Sequence, residues 1–168
     1  MKPVRIIDTG IRPCRDQMAL DQALIDGHKA GTTPDTLRFL AFEPSVLVGR
    51  HQAISQEVHL DICRAEGVGI GRRVTGGGAL YLDPGQFGWE LVLNKNTIGL
   101  TNLGEVAQAF CEAAADGLSR LGVAAKYRPR NDIEVDGRKI SGTGGFFDGD
   151  TIFYQGTTLY QMDGAKMA

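Results

Sequence analysis

Alternating apolar and polar positions recur along the chain in short stretches, and this two-residue period is typical of strands with one buried face. The stretches that we expect to form strands are residues 4–7, 36–42, 45–49, 68–73, 79–81, 87–93, 123–127, 132–135, 138–141, 146–147, 151–154 and 156–161. They outnumber the stretches with a helical period, so the pattern favours a fold built on a sheet.

Tight-turn dipeptides separate several of these strands. Pro84-Gly85, Asp136-Gly137 and Gly149-Asp150 each stand between two predicted strands. Proline presets φ for a turn, and glycine accepts the left-handed backbone that hairpin turns need. We therefore predict antiparallel β-hairpins at all three positions, and irregular loops over residues 51–58 and 142–145.

Apolar residues at three- and four-residue steps predict amphipathic helices over residues 14–28 and 103–121, and a short helix over residues 59–66. Gly122 follows the second long helix, where glycine commonly ends a helix. Together these elements predict an α+β fold: a mixed, mostly antiparallel sheet with the two long helices packed on one face. The length fits a single domain over residues 1–168.

Charge and cysteine content narrow the classes of function. The net charge of −2 gives no general attraction to nucleic acid or to an anionic membrane, so we expect neither as a partner. The three cysteines, Cys14, Cys63 and Cys111, are scattered and odd in number, which argues against a disulfide framework or a zinc site. The sequence has no signal-peptide core and no apolar run of about 20 residues, so we expect a soluble, cytoplasmic protein.

The segment over residues 72–83 carries the strongest candidate chemistry, because two arginines lead almost directly into Gly76, Gly77 and Gly78. Successive glycines expose backbone N–H groups that suit a phosphate or carboxylate, and the arginines add forked cationic donors. The segment has neither the Lys-Ser/Thr of a Walker loop nor the glycine spacing of a dinucleotide fold. From the residues alone, an anion site and a tight turn beside a solvated arginine pair both remain open.

Lys139 is the second candidate, because it follows the Asp136-Gly137 turn and precedes the glycines of residues 142–145. A lysine on the inner face of that hairpin can place a compact positive charge against a phosphate or carboxylate. On an edge strand it would instead deter aggregation, and general frequency favours that role. The position of Lys139 therefore indicates an anion site only in combination with other evidence.

The remaining reactive residue types give weaker signals. The three histidines, His28, His51 and His59, share no metal-ligand spacing. A Gly-x-Ser-x-Gly motif is missing from the sequence, which argues against a common serine hydrolase. Cys111 lies among apolar residues of the second long helix, so we expect it to pack in the core and not to act as a nucleophile.

Four segments taken together resemble the lipoate–protein ligase A family of the biotin/lipoate A/B protein ligase superfamily. They are the arginine–glycine segment of residues 72–83, the lysine segment of residues 131–142, the strand and loop of residues 44–52, and the strand of residues 155–159. They occur in the family's order and span about residues 37–160. Two positions depart from the family's pattern, because Leu82 and Gln155 stand where the family usually has histidine.

The resemblance implies a biotin/lipoate-ligase-type catalytic domain whose usual C-terminal part is missing. Such enzymes activate lipoate with ATP and Mg²⁺ to lipoyl-adenylate, and then transfer the lipoyl group to a lysine of a carrier domain. By position, the implied substrate- and adenylate-binding residues are Arg72, Gly76, Gly77, Gly78, Ala79, Tyr81, Asp132, Lys139 and Gly142. Lys139 would be the catalytic residue and Asp132 a Mg²⁺ ligand. The implied partners are a lipoyl carrier domain or an H-protein-like acceptor, and an accessory domain or polypeptide.

Other functions stay open beside the ligase. The chain could be an octanoyl or lipoyl transferase that moves the acyl group between carrier proteins without ATP. Cysteine-dependent transferases of the superfamily place their nucleophile just before the lysine hairpin, and residues 127–132 contain no cysteine, which argues against that mechanism. Leu82 and Gln155 motivate a relative that binds lipoate without turnover, and a biotin ligase fits the segments less well.

Overall fold

The computed structural model describes residues 3–163. Its helices are α1 (Cys14–Lys29), α2 (Ile54–Glu57), α3 (Leu60–Ala65), α4 (Lys95–Ile98) and α5 (Leu103–Arg120). Its strands are β1 (Arg5–Arg12), β2 (Thr36–Phe42), β3 (Ser45–Val48), β4 (Gly69–Arg72), β5 (Leu80–Leu82), β6 (Gln86–Asn94), β7 (Ala125–Arg128), β8 (Asp132–Val135), β9 (Arg138–Asp148) and β10 (Thr151–Leu159). Within residues 3–163, no helix is long and apolar enough to span a bilayer.

The strands form two sheets. A large sheet has the order β1-β2-β6-β10-β9-β8-β7, and a small sheet has the order β4-β3-β5. In the large sheet only β1 and β2 run parallel, whereas in the small sheet β3 runs parallel to β4 and antiparallel to β5. The predicted fold class, a mixed and mostly antiparallel sheet with packed helices, is confirmed.

Two of the three predicted hairpins are present. At the turn between β8 and β9, both Asp136 (φ 49°) and Gly137 (φ 73°) adopt the left-handed backbone that a type I′ turn requires. The turn between β9 and β10 uses Gly149 (φ 64°) in the same way. The local sequence decides these hairpins because residues that accept a positive φ stand at the turn itself.

The hairpin predicted around Pro84-Gly85 is wrong. The strand before this turn, β5, pairs with β3 in the small sheet, while the strand after it, β6, lies between β2 and β10. The carbonyl of Gly85 instead accepts from the amides of Tyr160 and Gln161. A Cβ on Gly85 would lie 1.8 Å from the Gln161 carbonyl oxygen, so glycine is needed for a close approach between chain segments.

Two predicted loops also differ from the structure. Residues 142–145 belong to the continuous strand β9, and residues 51–58 include the short helix α2. A Cβ on Gly145 would lie 2.2 Å from the carbonyl oxygen of Phe153 on β10. This glycine therefore allows β9 and β10 to approach closely, and it does not break the strand.

The two long helices lie on opposite faces of the large sheet, so the prediction that they share one face is wrong. Val92 of β6 and Phe153 of β10 are paired and pack with Leu24 of α1. Their neighbours along the same strands, Leu91 and Tyr154, pack in the cluster that contains α5. Successive side chains of a strand point to opposite faces, which places α1 and α5 on different sides. Strand β6 is buried on both faces for this reason.

A buried group of charged side chains joins α1 to the large sheet. Arg38 of β2 lies between Asp21 of α1 and Glu90 of β6, and all three side chains are at most 3% exposed. The Arg38 Nε donates to Glu90 Oε2 at 2.8 Å, and Arg38 Nη2 pairs with both carboxylates. Burial raises the pKa of Asp21 to about 6 and raises the pKa of Glu90 well above its ordinary value. Two carboxyl groups thus share one guanidinium in this group.

Replacing Arg38 with methionine should destabilise the fold by about 3–5 kcal/mol at neutral pH, because two buried carboxylates lose their cation. A carboxyl whose pKa is raised by folding favours the folded state at pH values below its unfolded pKa, and this contribution is lost as the pH rises through the folded pKa. The penalty of Arg38→Met should therefore be smaller near about pH 5 than near about pH 8. Urea unfolding of the wild type and the variant at the two pH values measures this penalty in the free energy of unfolding.

Glu90→Gln is the matched control for this experiment. It keeps an oxygen that can accept from Arg38 and removes one of the two acidic groups, so the free energy of unfolding at neutral pH should change little. Equal penalties for Arg38→Met at both pH values would show that the two carboxyl groups do not depend on Arg38.

Candidate active site

A cavity of about 500 Å³ lies between the α1 face of the large sheet and the small sheet with its following loop. The predicted site residues on its wall are Gly76, Gly77, Gly78, Ala79, Tyr81, Lys139 and Gly142. The glycine segment and the lysine segment are about 60 residues apart in sequence, and the fold brings them to one cavity. Both sheets pack on α1, and this arrangement brings the two segments to the same cavity.

Arg73 holds the glycine loop in place over the cavity. Its guanidinium, 5% exposed, donates to the carbonyl oxygens of Leu47 (3.0 Å), Gly76 (2.8 Å) and Gly78 (2.7 Å). Within residues 3–163, the amide N–H groups of Gly76, Gly77 and Gly78 have no acceptor. With the carbonyls engaged by Arg73, these amides remain available to bind an anion.

Glycine is required where the loop meets the end of β3. A Cβ on Gly49 would lie 2.0 Å from the carbonyl oxygen of Gly77, and Gly77 has a φ of 100°, which side-chain-bearing residues rarely adopt. Gly76 and Gly78 differ, because a Cβ on either would meet no atom within 4 Å. Their faces toward the cavity are therefore open.

The structure places Arg72 outside the cavity. Its Nη1 donates to the carbonyl oxygens of Gly49 (2.9 Å), Arg50 (3.2 Å) and Gln52 (2.7 Å) in the loop after β3. Arg73, which the sequence did not single out, lines the cavity instead. Adjacent residues of an extended segment point in opposite directions, and the sequence motif alone did not reveal which arginine faces inward.

Lys139 lies at the β9 end of the cavity with its side chain about half exposed, at 49%. Its Nζ is 2.7 Å from Asp132 Oδ1, and Asp132 Oδ2 is 2.8 Å from Arg128 Nη2. Burial acts to raise the pKa of Asp132, but the hydrogen bonds from Lys139 and Arg128 outweigh it and hold that pKa below its ordinary value. Asp132 lies behind Lys139 and does not line the cavity.

Asp132 is the predicted magnesium ligand, and the residues around it do not form a magnesium site by themselves. Both carboxylate oxygens already accept from cations. Across residues 3–163, the structure contains no group of three or more histidine, cysteine, aspartate or glutamate side chains that could hold a metal. The role of Asp132 toward Mg²⁺ stays a prediction.

The opposite end of the cavity is apolar. The residues there are Met18, Leu40, Phe42, Leu47 and Leu82. The sheet surface in the cavity is low at Gly144 of β9, where a Cβ would meet no atom within 4 Å, whereas the side chains of Leu40 and Lys139 cover Gly88 and Gly142. The strands β9, β10, β6 and β2 are neighbours, so the distance from end to end is about 14 Å, three strand spacings. The cavity therefore has a cationic end and an apolar end joined by a shallow trough.

The two positions where the sequence departs from the family pattern both lie on this cavity. Leu82 is 3% exposed and belongs to the apolar end. Gln155 Nε2 donates to Thr75 Oγ1 at 2.7 Å and so ties β10 to the glycine loop. Neither side chain carries the proton-transfer capacity of a histidine, so binding rather than acid–base chemistry is what these two positions supply.

Cys111 is buried on α5 beneath the other face of the sheet, with its Sγ 3.5 Å from Thr143 Oγ1. Burial raises the pKa of the Cys111 thiol, which keeps it protonated and a poor nucleophile. It does not line the cavity. The prediction that Cys111 packs in the core is confirmed.

The geometry suits an amphipathic anion. An ammonium and unpaired backbone amides line the same cavity, and both are groups that bind a carboxylate or phosphate. The trough and the apolar end can take a hydrocarbon chain attached to that anion.

Comparison with known proteins agrees with this geometry. Residues 13–168 match the family model described as the lipoyl protein ligase A/B catalytic domain. The chain is 34% identical over 124 residues to the lipoate-protein ligase LplJ of Bacillus subtilis, a match that covers 74% of this chain and 36% of LplJ. It is 29% identical to the octanoyltransferase LipM of Symbiobacterium thermophilum, over 95% of this chain and 66% of LipM.

Among solved structures, a lipoate-protein ligase A bound with ATP is similar to this chain with a TM-score of 0.84 and 25% sequence identity. The match covers 95% of this chain and 67% of that structure. The chain thus spans about a third of the length of LplJ and about two thirds of the length of LipM. The matched residues include both the glycine loop and Lys139, and the chain belongs to the lipoyl protein ligase A/B catalytic domain family.

Proposed function

We propose that the protein is a lipoate–protein ligase, which activates lipoate with ATP and transfers the lipoyl group to a lysine of a carrier domain. The observation that carries this proposal is that Lys139 and the unpaired amides of residues 76–78 line one cavity, which has an apolar end. The similarity to LplJ and to an ATP-bound ligase supports lipoate and ATP as substrates.

In the first step, a carboxylate oxygen of lipoate attacks the α-phosphorus of ATP, and pyrophosphate leaves. The acyl chain lies in the trough toward the apolar end, and its carboxylate lies near Lys139. The ammonium of Lys139 and the amides of Gly76, Gly77 and Gly78 stabilise the negative charge that develops on the phosphate oxygens. Asp132 keeps the Lys139 ammonium directed at this end of the cavity.

In the second step, the neutral amine of the acceptor lysine attacks the lipoyl carbonyl carbon, and AMP leaves. Lys139 and the glycine amides again stabilise negative charge, now on the departing phosphate. The partner in this step is a carrier domain that presents its lysine at the cationic end of the cavity. An accessory domain or a separate polypeptide completes the site during adenylation.

The alternative is an octanoyl or lipoyl transferase that works between carrier proteins without ATP. The similarity to LipM favours it, and the apolar end of the cavity can hold an octanoyl chain as well as a lipoyl chain. Within residues 3–163, cysteine is missing from the cavity wall, which argues against a thioester intermediate in this cavity.

One set of assays separates these functions. The protein is incubated with lipoate, ATP and Mg²⁺, pyrophosphate release is followed with and without an apo carrier domain, and an octanoylated carrier is offered in a parallel reaction without ATP. Lipoate-dependent pyrophosphate release supports the ligase. Transfer from the octanoylated carrier without ATP supports the transferase, and lipoate binding without either reaction supports a non-catalytic relative.

Lys139→Ala should lower the rate of lipoyl-adenylate formation by about 10²–10³, because a cation is lost where charge develops on the phosphate. Lys139→Arg should restore little, since a planar guanidinium does not occupy the place of a compact ammonium. Lys126→Ala on β7 is the control, because Lys126 is exposed and does not line the cavity. Single-turnover adenylation measures the effect, and a Lys139→Ala variant with the wild-type rate would contradict the role of Lys139.

Gly144→Val should block the cavity without disturbing the fold. A Cβ on Gly144 meets no atom within 4 Å, and Gly144 is paired with Gln155 on the cavity face of the sheet. Lipoate affinity, measured by calorimetry, should fall progressively from glycine to alanine to valine, because a larger side chain fills more of the cavity. Gly117→Ala on the exposed side of α5 also meets open space and should leave lipoate affinity unchanged. Equal affinity in the whole Gly144 series would place the acyl chain elsewhere.

A further inference from the structure

Four side chains of alternating charge follow one another across β7, β8 and β9 to the cationic end of the cavity. Glu134 Oε2 is 3.4 Å from Arg128 Nη1, Arg128 Nη2 is 2.8 Å from Asp132 Oδ2, and Asp132 Oδ1 is 2.7 Å from Lys139 Nζ. Only Lys139 of these four lines the cavity. The row of ion pairs therefore ends at Lys139, the residue that stabilises charge in the proposed function.

The strands fix the position of Arg128 relative to both carboxylates. Arg128 of β7 is directly opposite Asp132 of β8 in the antiparallel register, and Glu134 is two residues further along β8. Residues two apart in a strand point to the same face, so both carboxylates lie on the side of the guanidinium. A planar guanidinium with several fixed donors can hold two carboxylates at once, which a lysine ammonium on a flexible stem does less well.

Asp132 needs this second contact if it is to orient Lys139. A carboxylate that is held through one oxygen can rotate about its terminal side-chain bond, because that torsion is soft. Arg128 binds Oδ2 and thereby turns Oδ1 toward β9, where Lys139 lies. The Lys139 stem is long and half exposed, so the direction of its ammonium depends on this carboxylate.

We propose that Arg128 is a positioning residue for the acyl-activation step, acting on Lys139 through the carboxylate of Asp132. This inference rests on the proposed function, because it assigns Arg128 a part in the reaction that Lys139 supports. Arg128 itself touches neither the cavity nor the substrate. Its contribution is to hold the Asp132 carboxylate in one orientation.

The test compares Arg128→Gln, Arg128→Lys and Arg120→Gln with the wild type in lipoate-dependent adenylation at neutral pH. Arg128→Gln should lower kcat about tenfold with a small change in the KM for lipoate, because Lys139 is misplaced while the acyl pocket is intact. Arg128→Lys, which can still pair with Asp132, should recover part of the kcat.

Arg120→Gln is the matched control. Arg120 pairs with Asp116 at 2.9 Å and is separated from it by four residues, as Arg128 is from Asp132, but it lies on the exposed side of α5. This variant should match the wild type in kcat and in the KM for lipoate. Many exposed ion pairs contribute nothing measurable to stability. Arg120→Gln therefore shows the effect of removing such a pair far from the cavity.

The outcomes separate the two proposals. If the wild type neither binds nor activates lipoate, the proposed function is wrong and the role of Arg128 falls with it. If the wild type is active and Arg128→Gln retains its kcat, the role of Arg128 alone is wrong. A lower kcat that Arg128→Lys does not recover, together with a lower free energy of unfolding, would mean that Arg128 only stabilises the β7–β8 pair, which also overturns the inference.

Discussion

The contact of the Arg73 guanidinium with the carbonyls of the glycine loop is the interaction on which the site depends. Gly76, Gly77 and Gly78 bear no side chains that could fix their course. The Arg73 guanidinium fixes it instead, because it holds the carbonyl oxygens of Gly76 and Gly78 together with that of Leu47 on β3. Burial lowers the pKa of Arg73, but an arginine remains cationic, so the contact persists at any pH at which the protein functions. A loop whose carbonyls face one way presents its amides the other way, toward the cavity.

The cavity joins two sheets that meet the same helix. The small sheet contributes the glycine loop and part of the apolar end, while the large sheet contributes the floor and Lys139. Helix α1 packs on both, and the buried pairing of Arg38 with Asp21 and Glu90 ties it to the large sheet. Charged groups are expensive to bury, and this arrangement is stable only because the guanidinium is shared between two carboxyl groups whose pKa values are raised. The same contacts fix the distance between α1 and the large sheet, which forms the floor of the cavity.

The lining of the cavity suits an amphipathic ligand. Lys139 and the glycine amides line it, and its apolar end is about three strands away from Lys139. An anion at one end of a hydrocarbon chain would match both features, as does the lipoate of the proposed function. Relatives similar to this chain include both a lipoate-protein ligase and an octanoyltransferase.

The sequence by itself determined the features that local chemistry controls. Asp136-Gly137 set the turn between β8 and β9 because both residues take a positive φ, and the apolar period of residues 103–121 predicted α5 to within one residue. The two segments that contain residues 76–78 and Lys139 pointed to an anion site and to the family. The fold was needed to show that α1 and α5 cover opposite faces, that β5 pairs with β3, and that Arg73 rather than Arg72 reaches the cavity. A local pattern shows which side of an element is buried, but the element that covers this side comes from elsewhere in the chain, and only the folded backbone brings the two together.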